Sequence, residues 1–166
     1  MSLVWILFTA LMLSAAATDL ASYRIPNLIV LSLAVLFGVT LVVGAPPGAW
    51  QTHLLAGGVG LVAMIVIYSF GGMGAGDGKL IAATILWAGT SVVMPLLFWI
   101  AMSGLAFAAL LVSLRLALSV PQVQRNLGLT TLPRILRRHE GVPYGVAIAS
   151  GALIASNSFP HWLWTL

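Results

Sequence analysis

Long uncharged segments alternate along the chain with a few short polar breaks. Residues 2–18 carry no charged side chain, and between Arg24 and Asp77 no residue is ionised at neutral pH. That second interval is too long for one helix across a bilayer, which needs about 20 residues, and the glycine- and proline-rich segment 44–48 divides it. The pattern therefore predicts membrane-spanning helices near residues 2–18, 28–43 and 54–70.

The second half of the chain has the same character. Residues 80–114 are uncharged and again too long for one span, and Gly89-Thr90-Ser91 together with Pro95 indicates a turn within them. Five of the seven basic residues lie in the loop 115–141, and a last apolar segment follows. We therefore predict one membrane-embedded all-α domain over residues 1–166, with six helices of which the last three lie near 80–91, 95–114 and 142–163.

The basic residues predict the orientation, because cytoplasmic loops of membrane proteins carry an excess of Lys and Arg. With six spans and the N-terminus outside, all seven basic residues lie on the cytoplasmic side. A single span over 80–114 would instead place the loop 115–141 outside. Within that loop, residues 132–139 predict a short amphipathic helix on the inner leaflet. Residues 1–17 could also be interpreted as a signal peptide, but they lack its basic N-terminal segment.

The composition is typical of a membrane protein, and it excludes several kinds of catalytic and metal-binding site. Apolar residues make up 61% of the chain and charged residues 6%, whereas soluble domains carry about 25% charged residues. The absence of cysteine excludes a thiol nucleophile, a disulfide and a cysteine-ligated metal. The net charge of +4 comes from a few loop positions, so we expect no nucleic-acid partner. We also expect no metal and no cofactor.

Two of the three acidic residues, Asp19 and Asp77, are predicted at helix ends on the same cytoplasmic face. In Ile25-Pro26-Asn27, the proline disfavours helix at the residue before it, and the asparagine is a good N-cap for the second helix. Five glycines in residues 71–79 permit close backbone approach around Asp77. Either aspartate alone could be an ordinary interfacial residue, but these surroundings would hold both carboxylates rigidly.

The same segments resemble the type IV prepilin peptidases, membrane aspartyl proteases of the GxGD class. The matching residues are Asp19, Ile25, Pro26, Asn27, Gly74, Gly76, Asp77, Gly78 and Lys79, with Pro143, Tyr144 and Gly145 at the head of the last span. The resemblance implies that Asp19 and Asp77 are catalytic, that residues 25–27, 74, 76, 78 and 79 support the active-site loops, and that residues 143–145 are accessory.

Larger members of that family carry a cytoplasmic domain with paired Cys-x-x-Cys motifs, which this chain lacks. The chain therefore resembles the short, peptidase-only branch that processes tight-adherence (Flp) pilins, and we expect no N-methyltransferase activity. The resemblance implies an aspartic endopeptidase of the bacterial inner membrane. Its expected partners are the lipid bilayer and a prepilin with a basic leader and an apolar helix. A homo-oligomer and contact with the pilus assembly machinery stay open.

Hydrolysis by two carboxyl groups needs one ionised member to take a proton from water and one protonated member to polarise the scissile carbonyl. Asp77 is predicted at a helix start and Asp19 at a helix end, so the helix dipoles favour Asp77 as the base and Asp19 as the proton donor. Two other functions remain open. One is a small proton- or ion-coupled transporter, and the other is a structural subunit of a secretion machine.

Overall fold

A computed structural model describes residues 2–44, 46, 48–119, 134–136 and 141–164. Over these ranges the chain is helical and contains no strand. Four helices are long and apolar enough to cross a membrane: α1 (Leu3–Ser22), α2 (Asn27–Gly44), α3 (Ala49–Ser69) and α4 (Ala75–Ala117). A fifth helix, α5 (Tyr144–Ala155), lies between a 3-10 turn at Arg134–Leu136 and two more at Ser156–Ser158 and His161–Trp164.

The first corner of the fold begins later than the sequence predicts. Helix α1 continues through Asp19 to Ser22 instead of ending near residue 18. It ends there because Tyr23 adopts a left-handed conformation (φ 54°) and its backbone N–H donates to the Asp19 carbonyl at 2.8 Å. Helix α2 then starts at Asn27, which is therefore its first helical residue and not the N-cap that we predicted.

Helix α4 is broken at Gly89. This residue has φ 65° and ψ −178°, a conformation that is open essentially only to glycine. The break falls within the predicted turn, whereas Pro95 lies inside the helix. The buried His53 ring packs against the break, and its Nδ1 donates to the Leu86 carbonyl at 2.9 Å. The predicted fourth and fifth spans thus correspond to two helices that meet at Gly89 within the 43 residues of α4.

The two halves of α4 pack against different helices through small residues. In the first half, Leu86 lies against Gly57 of α3. In the second half, Ile100 lies against Gly151 of α5. These glycines let the helix axes approach closely, as small residues do between membrane helices.

The last predicted span, 142–163, is only partly regular helix. Helix α5 has 12 residues and gives way to the 3-10 turns that follow it. The described residues therefore provide four helices with the length and composition of a membrane span, where the sequence predicts six. Residues 134–136 form a 3-10 turn inside the predicted amphipathic helix, and the remainder of that predicted helix lies outside the described residues.

A cluster of aromatic side chains packs α1, α2 and α4 together, away from the two aspartates. Phe8 of α1 packs on Trp87 of α4 with ring centroids 4.9 Å apart, and Trp164 stacks on Trp87 at 5.6 Å. The Trp87 indole N–H donates to the Leu33 carbonyl of α2 at 3.1 Å, so this buried polar group is satisfied. At about 1.5 Å per helical residue, the cluster lies roughly 15 Å along the helices from the aspartates.

Candidate active site

Asp19 lies in the last turn of α1 and is only 5% exposed. Its Oδ2 accepts a hydrogen bond of 2.6 Å from the backbone N–H of Gly145, which is 126 positions away in the sequence. Gly145 is the second residue of α5, and the first N–H groups of a helix have no partner within the helix. The carboxyl group of Asp19 thus meets the N-terminus of a second helix, and Gly145, predicted only as accessory, touches it directly.

The close contact requires glycine at position 145. A Cβ added there would lie 2.8 Å from the Asp19 Cβ and 2.9 Å from its Oδ2, well inside van der Waals contact. Pro143 precedes the helix in an extended conformation and is buried, while Tyr144 is exposed beside the site. The proline tolerates this position because the first residues of a helix need no internal N–H bond. Together the three residues place the Gly145 backbone N–H, which has no partner within the helix, against the Asp19 carboxyl group.

Asp77 lies in the first turn of α4, three residues after the N-cap Gly74, and is half-buried. A Cβ added to Gly74 would lie 3.1 Å from the Asp77 Oδ2, so this carboxyl group folds back over the start of its own helix. A Cβ added to Gly76 would meet Ile25 at 3.5 Å, which shows how closely the α1–α2 corner approaches the α4 start. The predicted glycine-rich segment thus allows two chain segments to converge at Asp77.

Lys79 joins the two predicted motif segments. Its Nζ donates to Asn27 Oδ1 at 3.1 Å, which links α4 to the start of α2 at an exposed position. The neighbouring Gly78 is buried, and a Cβ there would lie 3.3 Å from the Met64 Cβ of α3. Lys79 therefore has a definite partner, which the sequence did not indicate, and Gly78 has a packing role.

Asp19 and Asp77 line one cavity of about 340 Å³. This volume lies within the usual range of ligand sites, about 300 to 1,000 Å³. The two carboxyl groups are close enough to interact electrostatically. The other residues that line the cavity come from the first corner, the glycine-rich segment and the approach to α5: Tyr23, Arg24, Ile25, Gly74, Ala75, Gly76, Val142 and Tyr144.

The helix positions of the two aspartates do not support the predicted assignment of Asp77 as the base and Asp19 as the proton donor. Asp77 lies at the start of α4, and Asp19, although it is near the end of α1, also meets the start of α5. Helix dipoles therefore do not separate the two carboxyl groups as the sequence suggested, because a helix N-terminus faces each of them. The geometry allows either one to begin as the ionised member.

The histidines of the chain and its third acidic residue lie apart from this cavity or outside the described residues. His53 is engaged at the α4 break, and His139 and Glu140 lie outside the described residues. Among the residues that the structure describes, no cluster of three or more His, Asp or Glu side chains could hold a metal ion. Among the described residues that line the cavity, Asp19 and Asp77 are the two carboxyl groups.

Comparison with known families gives one match. The model of the type IV leader peptidase family matches residues 6–112, which is more than half of the chain. The matched region contains both aspartates and the residues next to them, but it ends before α5 and Gly145. No match was found among curated proteins or among solved structures.

Proposed function

The chain belongs to the type IV leader peptidase family, and from this premise we propose that Asp19 and Asp77 are the catalytic pair of a membrane aspartyl endopeptidase. The observation that carries the proposal is their shared cavity, in which two carboxyl groups from distant parts of the sequence lie within electrostatic reach. The Gly145 N–H orients one of them, and the glycine-rich start of α4 positions the other.

The pair hydrolyses a peptide bond with water. The ionised carboxylate takes a proton from the water as its oxygen attacks the scissile carbonyl carbon, and the protonated carboxyl donates a hydrogen bond to the carbonyl oxygen. The tetrahedral intermediate then collapses: its C–N bond breaks, and the carboxyl group that took the proton from water passes it to the leaving nitrogen, which returns the pair to its starting protonation. Neighbouring carboxyl groups suit this arrangement, because two adjacent negative charges repel each other and the pair readily keeps one proton.

The proposed substrate is a prepilin of the Flp type. Its basic leader would lie at the cytoplasmic surface and its apolar helix in the bilayer, so the bond to be cut lies at the membrane boundary. The chain has no cysteine with which to build the paired Cys-x-x-Cys motifs of the larger family members, which supports leader cleavage without N-methylation. The proposed location is the bacterial inner membrane.

The proposal includes a six-span topology with the N-terminus outside and the catalytic cavity on the cytoplasmic face. A straight helix with the 43 residues of α4 would be about 65 Å long, so its ends could not lie together. Asp77 near its start shares a cavity with Asp19 and Val142, while Arg115 near its end bonds the carbonyl of Gly141. The two ends of α4 therefore lie near each other, which supports a reversal at Gly89 and two crossings.

Cleavage of a Flp-type prepilin by the purified protein in proteoliposomes tests this function. We expect a mobility shift and a new N-terminus at the boundary between the basic leader and the apolar helix. Asp77→Asn, which preserves size but removes the proton chemistry, should abolish the shift while the protein stays folded. An Asp77→Asn protein that cleaves at the wild-type rate would contradict the proposal.

A further inference from the structure

Arg115, in the last turn of α4, holds the chain segment that leads into α5. Its Nε donates to the Ile135 carbonyl at 3.0 Å, and its Nη2 donates to the same carbonyl at 2.8 Å and to the Gly141 carbonyl at 2.9 Å. The side chain is half-buried. The planar guanidinium fixes the directions of its donors, so one side chain sets the positions of both carbonyl groups.

The segment held in this way runs straight into the catalytic cavity. Val142, next to Gly141, lines the cavity, and Gly145 lies three residues further on and donates to Asp19. A Cβ added at Gly141 would meet no described atom within 4 Å, so this side of the residue is open. The Tyr23 hydroxyl approaches the Gly141 carbonyl at 3.5 Å, which is a longer contact than that of Arg115. Of these two contacts to the Gly141 carbonyl, the Arg115 hydrogen bond is the shorter.

We propose that Arg115 is a positioning residue for the catalytic pair, and this inference rests on the proposed function of Asp19. By holding the Ile135 and Gly141 carbonyls, Arg115 fixes the head of α5 so that the Gly145 N–H meets the Asp19 carboxyl group. A positive charge at the end of α4 would also interact favourably with the helix dipole. Lysine would interact with the helix dipole equally well. Only arginine has several N–H donors in one plane that can bond the Ile135 and Gly141 carbonyls together.

Steady-state cleavage of a Flp-type prepilin separates these roles. Arg115→Gln removes both the positive charge and the guanidinium N–H donors, whereas Arg115→Lys keeps the charge but not those donors. A displacement of about 1 Å at a catalytic group costs about 100-fold in rate, so we expect kcat to fall about 10- to 100-fold in Arg115→Gln. We expect KM to change little and Arg115→Lys to recover only part of kcat. The control Ser113→Ala, which removes an exposed hydroxyl bonded within α4, should match the wild type.

A second readout follows the segment without reference to catalysis. The chain has no cysteine, so Val142→Cys provides a single half-buried thiol between Arg115 and Asp19. We expect a maleimide to modify this thiol several-fold faster when Arg115→Gln is added. Ser113→Ala should leave the modification rate unchanged.

The outcomes are distinguishable. Full kcat in Arg115→Gln, or full recovery by Arg115→Lys, would overturn the inference while leaving the proposed function intact. An unchanged modification rate at Val142→Cys in the Arg115→Gln background would overturn it as well. If the wild type fails to cleave, or if Asp19→Asn cleaves normally, the proposed function is wrong. The modification rates would still show whether Arg115 holds the segment.

Discussion

Replacing Gly145 with alanine tests the contact between α5 and Asp19, because it adds one methyl group where the structure has no room. The new Cβ would lie 2.8 Å from the Asp19 Cβ, 2.9 Å from Oδ2 and 3.0 Å from Cγ. Asp19 is buried at the end of α1 and cannot simply rotate into solvent. The backbone at position 145 must therefore move away, and the 2.6 Å hydrogen bond to Oδ2 must lengthen.

The expected loss follows from these two effects. Overpacking at a close-packed site costs about 1 to 3 kcal/mol, and a hydrogen bond to a charged group contributes about 1.5 to 3 kcal/mol. If about 2 kcal/mol of this total appears as lost transition-state stabilisation, the rate falls about 30-fold, since 1.36 kcal/mol corresponds to a factor of ten. Alanine also favours helix over glycine by about 1 kcal/mol, which offsets part of the cost in overall stability.

The assay is prepilin cleavage in proteoliposomes, with kcat measured at saturating substrate and folding checked by thermal unfolding in detergent. Gly58→Ala is the matched control, since a Cβ there meets nothing within 4 Å and the position lies in a helix. We expect Gly145→Ala to be slow but folded and Gly58→Ala to equal the wild type. A Gly145→Ala protein within about twofold of the wild-type rate would refute the idea that this contact positions Asp19.

Three further changes test other parts of the structure. Lys79→Met breaks an exposed hydrogen bond that contributes up to about 1 kcal/mol, so the rate of cleavage should fall no more than about fivefold. A 100-fold loss of rate would instead show that Lys79 takes a direct part in the chemistry. Gly89→Ala forces alanine into a backbone conformation that costs about 1 to 3 kcal/mol, and its Cβ would lie 2.9 Å from the His53 ring. The midpoint of thermal unfolding in detergent should therefore fall. An unchanged midpoint would contradict the left-handed conformation of Gly89 at the helix break. Single cysteines at Gln51 and Ser69 should react with a membrane-impermeant maleimide from opposite faces, and reaction of both from one face would contradict the topology.

The sequence indicated the helices well where local chemistry sets their ends. The Pro26 corner and the proline-rich segment after α2 separate helices close to the predicted positions. It was less informative at the first helix, which runs on to Ser22 because Tyr23 adopts a left-handed conformation that has no strong sequence signal in tyrosine. In α4 the glycine at position 89 was a visible signal for the break, but Pro95, which looked equally disruptive, lies within the helix.

The contacts that complete the site were beyond sequence reasoning. Gly145 meets Asp19 across 126 residues, and such a pairing depends on how α1 and α5 pack, which no local pattern specifies. The Arg115 bonds to backbone carbonyls left no signature either, because any residue supplies a carbonyl. The signal that could have suggested the Asp19 contact was a glycine two residues after a proline at a helix start, where the backbone N–H has no partner within the helix.

The most direct test of the catalytic pair is the rate of prepilin cleavage by Asp19→Asn, Asp77→Asn and the double variant. Each single change should lower kcat about 100- to 10,000-fold, the range that general acid–base catalysis supplies. Since the two carboxyl groups act as a unit, the double variant should be no slower than the slower single variant. Losses that multiply in the double variant, or a single variant that keeps the wild-type rate, would contradict a catalytic pair formed by Asp19 and Asp77.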